Sequence, residues 1–126
     1  MSGEIQIGLT NHYYLFRQLR DSNGTLPAQN YSPRGGGSGA LVNVAGAGIV
    51  DSAPNPKRAQ QFIEYLLSAE AQAHFSEEIF EYPLVKGVSA HPLLQPLSEL
   101  NTPRSNLNEY GNIEDTLQLL EEAGAL

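Results

Sequence analysis

Hydrophobic and polar positions change rhythm several times along this chain, and each rhythm predicts an element. Residues 4–10, "EIQIGLT", alternate Ile5, Ile7 and Leu9 with small or polar residues, the period-two signature of a half-buried strand. Thr10 or Asn11 can cap a helix that follows at once. From His12 to Leu19 the apolar positions Tyr14, Leu15 and Leu19 fall at helical spacing beside Phe16, with Arg17 and Arg20 toward the C-terminal end, where cations suit the helix dipole. Residues 21–39 hold Asn23-Gly24, Pro27, Pro33 and a glycine run at 35–39, and read as a long loop. Residues 40–50, "ALVNVAGAGIV", are β-rich, with Gly46 and Gly48 allowing a bend or a close backbone approach.

The second half is more helical. In "SAPNPKRAQQFIEYLLS" Pro56 fits a first helical turn, and Ala59, Phe62, Ile63, Leu66 and Leu67 form one apolar stripe. Ser68 can cap a further helix, "AEAQAHFSEEIF", packed through Ala69, Ala73, Phe75, Ile79 and Phe80 and broken by Pro83. Residues 89–111, with Pro92, Pro96 and Pro103, read as irregular. A closing helix is capped by Asn112, acidic in its first turn and stopped by Gly124. Strands and helices alternate without an internal repeat, which predicts an α/β architecture.

Length changes the picture only by bounding it: 126 residues make one domain or a piece of one. Seven basic against fourteen acidic residues give a net charge of −7, and the cations are scattered rather than gathered in a stripe, which argues against a nucleic-acid partner. No apolar run approaches the length of a membrane helix. The absence of cysteine excludes disulfides, thiolate metal sites and thiol catalysis. Met1, Ser2 and Gly3 read as start residues. With no basic region followed by an apolar one, either no export signal belongs to the protein or the sequence starts downstream of it.

Most candidate chemistry reduces to ordinary structure. The glycine run lacks the Lys and Ser/Thr of a phosphate-binding loop, and Ser38 within it departs from the nucleophile-elbow pattern. Histidines 12, 74 and 91 lack the short spacing of a zinc site. Glu77, Glu78 and Glu81 read as solvated charge or as an acidic contact patch. No base, nucleophile and orienting group can be assembled, so an enzyme is not expected.

Tyr13 and Tyr14 are different, because neighbours on a helix point about 100° apart and cannot both centre one apolar stripe. At least one phenol must meet solvent or a polar site. Two readings stand: a packing pair of aromatics, or two phenolate oxygens forming half of a site for a hard trivalent cation such as Fe(III).

The segments "GLTNHYYLFRQL", "GALVNVAGAGIV", "NPKRAQQFIEYLLSAEAQAHFSEEIFEYPLVKGV" and "LLEEAGAL", in that order, resemble the C-terminal portion of the periplasmic ferric-ion-binding proteins, substrate-binding components of bacterial iron ABC transporters. The resemblance implies an α/β chain forming the C-terminal part of a two-lobed, type II periplasmic-binding fold over residues 1–126. It implies that Tyr13 and Tyr14 are ligands of Fe(III) and that Asn11 contacts a synergistic anion; His12 is not a ligand, and Glu81-Tyr82-Pro83 is structural. It further implies a periplasmic location, a membrane permease as partner, and remaining iron ligands on segments N-terminal to this sequence. The missing N-terminal half would leave strand edges and apolar faces that a homodimer could cover. The rivals are a binding lobe for another small anionic or organic solute, and a truncated assembly module that binds nothing.

Overall fold

A computed structural model describes residues 4–33, 40–100 and 112–125. Four α-helices organise them: α1 (His12–Asp21), α2 (Pro56–Leu66), α3 (Ala69–Ile79) and α4 (Ile113–Glu122), with a 3-10 turn at Leu97–Glu99. Met1 to Gly3, the glycine run with Ser38, and the stretch holding Pro103 lie outside the described residues.

The helices start and stop where the local chemistry says they should. Pro56 opens α2, the Ser68 side chain accepts from the Ala71 N–H at 3.2 Å to cap α3, and the Asn112 side chain accepts from the Glu114 N–H at 3.2 Å to cap α4. Gly124, at φ +66, ends α4 in the left-handed region that glycine enters freely. Pro83 does not end α3 directly. Phe80 does, turning left-handed at φ 65 while the Glu81 N–H returns to the Phe75 carbonyl at 3.0 Å. A bulky residue in that region costs about 1–3 kcal/mol. Packing offsets it: Phe80 is buried, its ring 5.5 Å from Phe16 and 4.8 Å from His91, with the Arg20 guanidinium 5.7 Å above it.

The expected strands are absent among the described residues. Residues 4–10 and 40–50 form no ladder, and Ile5, Ile7 and Leu9 are left 75%, 88% and 102% exposed. Alternation names the face a strand would bury, but a ladder exists only where a second strand supplies its hydrogen bonds. The helical part of the α/β expectation therefore stands in this structure and the sheet does not.

The core is small and sits where α1 meets α3 and the segment after it, with Leu15, Ala71, Phe80 and Leu94 buried. Two stripes differ from expectation. On α3 the fully buried positions are Ala71, Gln72 and Ser76, while Ala73, Phe75 and Ile79 are half-buried and Ala69 is exposed; both buried polar side chains bond backbone. Gln72 donates to the Leu66 carbonyl at 2.8 Å and accepts from the Leu84 N–H at 2.7 Å; Ser76 accepts from the His91 N–H at 2.8 Å. On α2 the stripe splits: Ala59, Ile63 and Leu66 are half-buried, while Phe62 and Leu67 stay exposed.

Candidate functional site

The first turn of α1 carries the residues of interest, held from three sides. The His12 Nε2–H donates to the Phe80 carbonyl at 2.7 Å, and the Asn30 amide donates to the His12 carbonyl at 2.9 Å. Arg20 reaches from the last turn to the Glu78 carbonyl at 3.0 Å and to its carboxylate at 3.4 Å. These bonds and the burial of Leu15 fix the helix's rotation, which turns Tyr13 to a half-buried position and leaves Tyr14 exposed. Tyr14 therefore lies off the covered stripe to which its spacing assigned it, and His12 takes that place.

Asn11, Tyr13 and Tyr14 come together. The two phenol rings are 4.6 Å apart between centroids and tilted by 49°. Asn11 stands at the N-cap position, yet its side chain does not cap; its Nδ2 donates to the Tyr13 hydroxyl at 2.9 Å. Below the pair, the Arg17 guanidinium lies 5.1 Å from the Tyr13 ring centre, a cation over a π face. The sequence pointed to Arg17 only as a cation suited to the helix dipole, although its spacing of four from Tyr13 is the signal that two side chains meet on one helix face.

Electrostatics tie the phenols together. A hydrogen bond with Tyr13, then the charge Tyr13 carries when ionised, then slight desolvation raise the Tyr14 phenol above its ordinary range, while Arg17 pulls it down. The pair thus resists double ionisation unless a cation sits between the oxygens, and a cation that binds there must displace protons. Nearby, Tyr82 donates to the Gln95 carbonyl at 2.6 Å, and burial raises its phenol. That places Tyr82 in the packing of the segment after α3.

Two hollows on the described surface do not include the pair. One of about 530 Å³ lies along α3 beside Glu70 and His74; another of about 300 Å³ lies behind α1, lined by His12, Phe16 and Tyr82. The tyrosines stand on an open face. Among the described residues no three histidine, aspartate or glutamate side chains are grouped to hold a metal.

Comparison with known proteins bears on the whole chain. Iron uptake protein A1 of Synechocystis sp. is 33% identical over 132 aligned positions, which take in 98% of this chain and 36% of that protein. The major ferric iron-binding protein of Neisseria meningitidis serogroup B is 31% identical, over 98% of this chain and 38% of its own length. The Fe(3+)-binding periplasmic protein of Serratia marcescens is 27% identical, over 99% and 37%. The chain spans little more than a third of the length of these relatives. Residues 3–102 match the profile of the bacterial extracellular solute-binding proteins, and the chain belongs to that family.

Proposed function

We propose that this chain carries the tandem-tyrosine half of a ferric-ion site in a periplasmic iron-uptake protein. The observation that carries the reading is the paired phenols of Tyr13 and Tyr14, 4.6 Å apart on one open helical turn, in a chain whose relatives bear ferric-binding names. Phenolate oxygen is a hard anionic donor matched to Fe(III), and the trivalent charge offsets the repulsion between two adjacent phenolates. The ion is cargo, captured and handed on to the membrane permease of an ABC transporter, and no bond of a substrate is made or broken.

Two oxygens leave most of the iron's coordination positions to donors from elsewhere in the complete protein. In the same reading, residues 4–10 and 40–50 become strands of a two-lobed α/β fold when the remaining length of the family fold is present, and the open tyrosine face becomes one wall of a cleft. Asn11 contacts a synergistic anion. Such an anion draws on the same Nδ2 that now donates to Tyr13, so anion uptake and release of the Tyr13 hydroxyl are linked.

Adding ferric citrate tests this. A visible tyrosinate-to-iron charge-transfer band is expected, lost in the Tyr13→Phe/Tyr14→Phe double variant with helical circular dichroism unchanged. Calorimetric heat with small anionic or organic solutes, together with no response to iron, would instead make this a lobe for another solute. A band of equal strength in the double variant sinks the assignment of the ligands.

A further inference from the structure

The turn that carries the two phenols begins without the devices that usually hold a helix start. Asn11 stands at the N-cap position of α1, but its side chain makes no cap bond and is occupied with the Tyr13 hydroxyl. No acidic residue lies in the first turn to meet the positive pole of the dipole. A start in that state leaves its first N–H groups without side-chain partners and is prone to fray. Tyr13 and Tyr14 are the second and third residues of α1, where fraying would move both hydroxyls.

Tertiary bonds hold this turn instead, and the tightest of them ends on the residue that terminates α3. The Phe80 carbonyl can only accept, so His12 carries its proton on Nε2 for the 2.7 Å bond between them. Phe80 leaves α3 at φ 65 and ψ 33, which swings that carbonyl off the helix axis, and its burial makes the acceptor a fixed one. The His12 carbonyl is held in turn by the Asn30 amide at 2.9 Å. The His12 ring stands edge-on to the Tyr13 ring, 5.6 Å between centroids at 76°, and is backed by Tyr82 at 5.3 Å. Arg20 ties the far end of α1 to the Glu78 carbonyl at 3.0 Å, about two turns away from the phenols.

We infer that His12 is the positioning residue of the tyrosine pair: through its bond to the Phe80 carbonyl it fixes the first turn of α1, and with it the placement of the two hydroxyls. What the pair is placed for rests on the ferric reading; the placing itself does not.

Nuclear magnetic resonance of the whole chain without iron tests the placing. Contacts between the Tyr13 and Tyr14 ring protons are expected, and ring-nitrogen shifts should give neutral His12 as the Nε2–H tautomer. His12→Phe keeps an aromatic ring and removes the donor; it should lose the ring contacts and speed amide exchange at residues 14–16 roughly tenfold or more, with the α2 amides unchanged. His12→Gln, whose amide nitrogen reaches the same place, should restore both. Ser68→Ala weakens the fold through the α3 cap, away from the tyrosines, and should leave both readouts as in wild type, which separates placing from lost stability. An Nδ1–H tautomer in the wild-type chain overturns the inference whether or not the variants fold, and so does a His12→Phe chain whose tyrosine contacts and exchange match wild type. With ferric citrate, His12→Phe should weaken the charge-transfer titration about 10–100-fold and His12→Gln should recover it. A wild-type chain that gives no band refutes the ferric reading alone, because the iron-free measurements still decide the role of His12.

Discussion

At the scale of single residues, the tyrosine pair is set by what lies beside and below it. Arg17 opposes the rise that Tyr13 imposes on the Tyr14 phenol, so Arg17→Gln should push Tyr14 ionisation to still higher pH. An ultraviolet phenolate titration reads this directly, and an unchanged alkaline curve would show that the guanidinium does not act on Tyr14. Ferric loading should fall in acid, because protons compete with the metal for phenolate oxygen. Visible absorbance followed from neutral to acid pH checks the sign. Ser76, the most deeply buried side chain described, gives a prediction about stability. Ser76→Ala leaves the half-buried His91 N–H without its acceptor and should cost about 1 kcal/mol in denaturant unfolding.

Between elements, polar side chains carry the joins that apolar stripes were expected to make. Gln72 fastens the end of α2 to the segment after α3 through two backbone bonds while only 4% exposed. Gln72→Met keeps the volume and strips both partners, and should cost about 2–4 kcal/mol, more than a Ser68→Ala change that removes the α3 cap for about 1 kcal/mol. Comparing the two variants by urea melts checks the order. The caps themselves were legible in the sequence, because a cap is made by residues two or three positions apart. The Gln72 and Ser76 joins were not, because their partners lie 6, 12 and 15 residues away and no periodicity encodes them.

For the whole molecule, the surface area is the telling quantity. The chain exposes 10574 Å², whereas a compact monomer of 13.7 kDa should expose about 6,600 Å². Large apolar side chains stand exposed, among them Ile5, Ile7 and Leu9 before α1, Phe62 on α2 and Leu119 on α4. That surface accords with a chain that spans little more than a third of its relatives' length. Alkaline pH offers a global check. Burial raises the Tyr82 phenol in the folded state, so its contribution is intact below about pH 10 and is lost as pH climbs through the folded value, because the unfolded chain ionises first. Thermal melts should drop on that limb, and Tyr82→Phe should flatten the drop; a wild-type curve level through it would remove Tyr82 from the account.

By itself the sequence determined the four helices, the end signals at Pro56, Ser68, Asn112 and Gly124, the adjacency of Tyr13 and Tyr14, and the family resemblance, all of which rest on neighbours within a few residues or on order along the chain. Tertiary structure alone decided that Tyr14 faces out and His12 in, that Phe80 ends α3, that α2 covers half its stripe, and that residues 4–10 and 40–50 form no sheet among the described residues. The division has one cause. A helix closes its hydrogen bonds within its own segment, whereas a strand, a buried face and a metal site each need partners that the local sequence does not contain.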